Sequence, residues 1–151
     1  MKLVLDASAF FGEMPLDGVL FTSPLILTEL RDIRSRGRLE VLRAGGLIVM
    51  EPGEESRRRV TAAAKGSGDA CVISPADQEI LSLALELEAC LVTDDFAVQN
   101  IARALRIPTR SLLQRKAAFR KWRFRCSGCG RYSRDTGECM VCGSPMKRIL
   151  K

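Results

Sequence analysis

CLVTDDFAVQN, residues 90–100, opens on an apolar run and then sets Asp94 beside Asp95 where a strand should end and a helix begin. A short apolar run of this kind suits a strand buried on both faces, and FAVQNIARALRI after it reads as a helix. Each of the two carboxylates raises the cost of ionising the other, so the pair needs a helix N-terminus, a cation or open water.

The same pattern recurs along the chain. KLVLD is an apolar run ending in Asp6, and GVLFTSPLILTELRDI places a strand at Val19–Phe21 before an N-cap at Thr22 or Ser23 and Pro24 at the first helical position. GLIVMEP gives a further strand, with a helix from about Glu54 to Lys65 ended by GSGD. SPADQEILSLALELEAC opens with Ser74 as N-cap and Asp77 three residues later, and RIPTRSLL adds a last strand near Ile107. Strands alternating with helices predict an α/β domain on a mainly parallel sheet, residues 1–112.

In such a sheet Asp6, Asp77, Asp94 and Asp95 fall on the carboxyl edge, where open α/β sheets place their ligands, and Glu29 is near enough to lean over it. Each acid also has a local explanation: Asp77 completes a capping box with Ser74, Asp6 and Asp94 or Asp95 can cap the helices that follow them, and Glu29 can be a surface acid. Together, several carboxylates converging without an opposing Lys or His would repel one another unless a divalent cation lay among them. Oxygen ligands suit Mg²⁺ or Mn²⁺, which can activate water and neutralise charge on a phosphodiester.

Histidine is absent, which excludes Ser-His-Asp triads and His-based ribonuclease chemistry. No Walker or dinucleotide-binding glycine motif is present, so no nucleotide cofactor is expected. Residues 1–95 hold 10 basic and 16 acidic side chains and residues 96–151 hold 14 and 2. An acidic front and a basic back fit an anionic partner gripped by one part and processed by another. The apolar stretch Leu3–Leu5 is too short for a signal peptide or membrane span, so a cytoplasmic protein without membrane contact is expected.

Beyond residue 112 the character changes: a basic linker over 113–121, then a small module over 122–151. Cys126-Ser-Gly-Cys129 and Cys139-Met-Val-Cys142 are two C-x-x-C knuckles, the ligand set of a structural Zn²⁺ ribbon, while Cys71 and Cys90 read as reduced core thiols. Arg115, Lys116, Arg120, Lys121, Arg123, Arg125 and Arg131, interleaved with Trp122, Phe124 and Tyr132, form a candidate RNA-binding set, cations for phosphates and rings for bases. Trp122 and Phe124 could instead be the ribbon's apolar contact with the first domain.

LVLDASAF, TSPLILTELRD, SPADQEILSLALEL and LVTDDFAVQN resemble the acidic motifs of PIN-domain nucleases, and the tail resembles the zinc ribbon of the Nob type, the pre-ribosomal endonucleases that mature the 3′ end of small-subunit rRNA. The resemblance covers nearly the whole chain. It implies a PIN-like parallel-sheet domain with helices on both faces, a C-terminal zinc ribbon, and a Mg²⁺- or Mn²⁺-dependent single-strand endoribonuclease leaving 5′-phosphate and 3′-hydroxyl ends. Precursor rRNA, the small-subunit precursor and its assembly factors are the implied partners. The PIN pattern falls on Asp6, Glu29, Asp77 and, as the third position of Thr-x-Asp, Asp95, with Asp94 as a supporting ligand. A toxin-type PIN ribonuclease and a non-catalytic RNA-binding assembly factor are the competing readings.

Overall fold

The computed structural model describes residues 1–113 and 122–150. Five parallel strands, β1 (Lys2–Leu5), β2 (Val19–Thr22), β3 (Ile48–Val49), β4 (Cys90–Val92) and β5 (Thr109–Arg110), lie in the order β3-β2-β1-β4-β5. Side chains of a strand point alternately to opposite faces, and Leu3, Val4 and Leu5 are all fully buried, so both faces of the central strand are covered. The apolar run Leu3–Leu5 therefore occupies the middle of the core rather than an edge. β3, by contrast, is a short edge strand whose Ile48 and Val49 are exposed.

Five helices, α1 (Pro24–Glu29), α2 (Ile33–Ala44), α3 (Glu54–Ser67), α4 (Pro75–Leu87) and α5 (Phe96–Ala104), join the strands. The segment PLILTELRDI does not run on as one helix: it breaks after Leu30, and Asp32 caps a new helix by accepting from the Ser35 amide at 3.0 Å. Helix α4 buries Ile80, Leu81, Leu83 and Ala84, and it packs on β1 and β4. The last strand begins at Thr109, two residues beyond Ile107, which is buried in the turn before Pro108.

The chain starts in the middle of the sheet, moves outward through β2 and β3, and returns to the other side of β1 as β4. The strand order thus reverses between β1 and β4, and the crevice at their carboxyl ends is the ligand-binding position of open α/β sheets. Asp6 leaves one strand and Asp94–Asp95 leaves the other, while the Asp6 amide donates to the Val92 carbonyl at 3.1 Å and ties the two ends together.

The C-terminal module is a three-stranded antiparallel sheet, β7 (Tyr132–Ser133), β6 (Trp122–Cys126) and β8 (Met146–Leu150), in the order β7-β6-β8. Among the described residues no helix is long and apolar enough to cross a membrane.

Candidate active site and ribbon

The five acids occupy one end of the sheet but do not play one part. Asp6, 6% exposed, is the floor: its Oδ1 accepts from the Ala7 amide at 2.6 Å, and its Oδ2 accepts from the hydroxyls of Thr93 at 2.6 Å and Ser8 at 3.4 Å. Asp77 is half-buried at the start of α4, where its Oδ2 accepts from the Ser74 amide at 2.7 Å while the Asp77 amide donates to Ser74 Oγ at 3.1 Å. Glu29 ends α1 and Asp95 caps α5, its Oδ1 accepting from the amides of Ala97 at 2.7 Å and Val98 at 3.1 Å; both are exposed. The result is a buried carboxylate below, a half-buried one beside it and two at the rim.

Their proton affinities record this proximity. Burial pushes the Asp6 carboxyl up to about 6 against the pull of its hydrogen bonds, and the charges of Asp77 and Asp95 add to the rise. Asp77 is raised by burial and by Asp95, and Glu29 by burial and by Asp77. Asp77 is therefore the hub: it acts on Asp6 and Glu29 and is acted on by Asp95. The capping and clustering explanations are not alternatives, because Asp6, Asp77 and Asp95 each hold a helix start with one edge of the carboxylate and still share a field.

Asp94 is engaged elsewhere. Its Oδ1 accepts from Ser111 Oγ at 2.6 Å and from the amides of Leu112 and Leu113 at 2.8 and 3.2 Å, so it clamps the turn after β5. The adjacent aspartates at the strand end thus divide, one to the chain turn and one to the acidic cluster.

Sequence reasoning missed Thr93 and Ser8. Thr93 is fully buried, donates to Asp6 and accepts from the Asp95 amide at 3.1 Å, linking two acids through one hydroxyl. The Thr-x-Asp spacing held that signal, since a hydroxyl two residues before a capping acid can reach both.

In the ribbon, the four sulfurs of Cys126, Cys129, Cys139 and Cys142 lie within 4.8 Å of one another, with Cys126 to Cys142 at 3.3 Å and Cys129 to Cys139 at 3.7 Å. A tetrahedral ion with sulfur bonds of about 2.3 Å has an S···S edge of about 3.8 Å, so the set fits one metal ion. Amides of Gly128 and Cys129 point at Cys126 Sγ at 3.3 and 3.4 Å, and Ser144 donates to Cys142, drawing that thiol down to about 6. Cys71, expected in the core, is exposed, and Cys90 is half-buried.

Alternation along β6 divides the ribbon into two faces. Phe124 is 2% exposed, which corrects its assignment as an RNA-stacking ring: it is core, as its in-facing position requires. Arg123 and Arg125 face solvent; Arg125 lies opposite Lys147 on one side and Tyr132 on the other, its guanidinium 5.8 Å from the exposed Tyr132 ring. Among the described residues no carboxylate pairs with Arg125 or Lys147, though like charges directly across a sheet destabilise it. A hollow of about 390 Å³ opens there, lined by Arg125, Ser127, Gly128, Gly130 and Lys147. Arg131 is exposed as well, while Trp122 is half-buried beside the first domain. Arg115, Lys116, Arg120 and Lys121 lie outside the described residues.

A family model described as the PIN domain of ribonuclease matches residues 3–87. A protein named Endoribonuclease Nob1 from Pyrococcus abyssi is 40% identical over 99% of this chain and 94% of its own length, and one of the same name from Methanothermobacter thermautotrophicus is 40% identical over 98% and 92%. The 20S-pre-rRNA D-site endonuclease NOB1 of Saccharomyces cerevisiae is 35% identical over 53% of this chain and 18% of its own length.

Proposed function

We infer the activity from one premise: this chain belongs to the PIN-domain ribonucleases, among the endoribonucleases of the Nob1 group. It is an endoribonuclease of ribosome biogenesis. The observation that carries its chemistry is the convergence of Asp6, Glu29, Asp77 and Asp95 at the sheet's switch point. The substrate is single-stranded precursor rRNA, cut to mature the 3′ end of the small-subunit rRNA, within a small-subunit precursor and in the company of its assembly factors. The yeast relative, named for a pre-rRNA site, supports this reading.

Asp6, Asp77 and Asp95 would hold Mg²⁺ or Mn²⁺. The raised proton affinities of Asp6 and Asp77 fit that role, as does the absence, among the described residues, of an ion pair to any of the three. A cluster of this kind is stable as ions only with positive charge inside it. When bound, the ion activates water and offsets the charge that builds on the phosphodiester. The chain's own part is orientation. Thr93 fixes Asp6 by donating to Oδ2, the first-turn amides of α5 fix Asp95, and Ser74 fixes Asp77. Glu29, solvent-facing at the rim, places the attacking water in line with the scissile bond and, in a chain without histidine, is the carboxylate free to take its proton. Asp94 supports the site by holding residues 111–113.

The four cysteines would hold Zn²⁺, which would fold the ribbon and neutralise part of the thiolate charge. Arg125 and Lys147 then grip a phosphate and Tyr132 stacks on a base. A gel assay with labelled RNA spanning a small-subunit 3′ junction tests the assignment: one Mn²⁺-dependent cut at the junction supports it, and uncut RNA with every divalent ion refutes it.

A further inference from the structure

The face of the ribbon turned away from Arg125 is occupied. Arg148, next to Lys147 on β8 and so on the opposite face, reaches back to the nuclease domain, where its Nη1 donates to Asp69 Oδ1 at 3.2 Å. Asp69 is 1% exposed, and its Oδ2 accepts from Ser67 Oγ at 2.9 Å and Asn100 Nδ2 at 2.5 Å. The Arg148 guanidinium also lies over the Trp122 ring, 3.9 Å from its centroid. Trp122 in turn packs on Gly68, so closely that a Cβ at position 68 would come within 2.8 Å of Trp122 Cβ.

The place of this contact matters more than its strength. Asp69 lies in the loop that leads from α3 into Ser74 and α4, whose first turn carries Asp77, and Asn100 lies on α5, which Asp95 begins. The aspartate of the ion pair thus sits in the loop that leads to Asp77, and one of its supports, Asn100, lies on the helix that Asp95 begins. A residue that served only the ribbon's own fold would not need a buried aspartate on the other domain.

We propose that Asp69, Arg148, Trp122 and Gly68 form a latch that fixes the ribbon's phosphate-gripping face at a set distance from the acids, so that the ribbon measures where the RNA is cut. This rests on the nuclease reading above and adds the device that converts binding into choice of site. The four are positioning residues: none touches the reacting atoms, and they act by fixing two sites relative to each other. The interlocked faces of β6 make this possible, since one set of side chains grips RNA while the alternate set grips the nuclease domain.

Trp122 is the single tryptophan in the chain and reports on the latch directly. The test compares the full, zinc-loaded chain with Arg148→Ala and Asp69→Asn, reading tryptophan emission and anisotropy, and the pattern of Mn²⁺-dependent cuts in a 5′-labelled unstructured RNA oligonucleotide. Asp69→Asn lies outside the ribbon, so its effect cannot come from a misfolded ribbon. Both variants should show red-shifted emission and lower anisotropy. Preference for the main cleavage position should fall at least about tenfold, since a second contact held at fixed geometry can add roughly 10²–10⁴ in avidity, while total cleavage at saturating RNA persists. Unchanged emission and anisotropy in both variants would overturn the latch, and a freed tryptophan with an unchanged cleavage pattern would overturn its measuring role. If the parent chain cuts no RNA while the tryptophan responds as expected, the latch stands and the nuclease reading fails.

Discussion

Asp6→Asn should make the metal-free protein more stable at neutral pH while abolishing cleavage. Burial moves the Asp6 carboxyl from an ordinary 3.8 to about 6, and each pH unit of displacement corresponds to about 1.4 kcal/mol, so ionising it in the folded chain costs about 3 kcal/mol. The sign follows from the direction. A carboxyl whose proton affinity rises on folding contributes stability that is complete below pH 3.8, declines through the window from 3.8 to about 6, and is gone above it. Asparagine keeps the shape and does not titrate. The value of about 6 already includes the pull of the bonds from Thr93 and Ala7, so the gain at pH 7 is up to about 3 kcal/mol. For a chain of this size that is about 6–12 °C in Tm. Thermal melts of variant and parent, with the catalytic cation chelated and the difference taken at each pH, cancel contributions common to both. The gain should be present at pH 7 and absent at pH 4. A difference of the same size at both values, or a variant less stable at pH 7, would refute the view that a buried, repelled carboxylate sets this balance.

The neighbouring aspartates should separate cleanly. Asp95→Asn, which retains a good N-cap residue, should lose Mn²⁺ affinity with little change in Tm, whereas Asp94→Ala should keep that affinity and lose about 2 kcal/mol of stability through its three bonds to residues 111–113; calorimetric Mn²⁺ titration with melts of each variant checks both. Stripping Zn²⁺ with a chelator should unfold residues 122–150 and leave the helical circular dichroism of the first domain, which has its own core; loss of both signals together would contradict this. Replacing Arg125 and Lys147 by alanine should lower the salt slope of single-strand RNA binding by about 0.7, the value for one phosphate that is no longer neutralised, and an unchanged slope would show that the hollow between them holds no phosphate.

The strands and the acids were legible because their signals are local. KLVL and CLV are continuous apolar runs, and a strand buried on both faces needs nothing else; Ser74, Pro75 and Asp77 spell a capping box whose bonds are present at 2.7 and 3.1 Å. What escaped depends on register or on contacts distant in sequence. Phe124 in-facing and Lys147 out-facing follow from how β6 pairs with β8, and a one-residue slip would exchange them. The separate duties of Asp94 and Asp95 depend on where residues 111–113 return, seventeen or more positions later. Asp69 drew no notice because GSGD reads as a flexible loop; its cationic partner, Arg148, lies 79 residues away. Cys71 was expected in the core on composition alone, and the exposed loop between α3 and α4 decides otherwise.

The most direct test of the central claim, that the clustered acids hold a divalent ion for phosphodiester hydrolysis, is a single-turnover measurement on a 5′-labelled single-stranded precursor RNA with end-group analysis of the products. The parent chain should cut only when Mn²⁺ or Mg²⁺ is supplied, leaving 5′-phosphate and 3′-hydroxyl ends, and Asp77→Asn, at the hub of the cluster, should be inactive while still binding the RNA. Cleavage that proceeds in a chelator, yields a 2′,3′-cyclic phosphate, or survives Asp77→Asn would contradict the account.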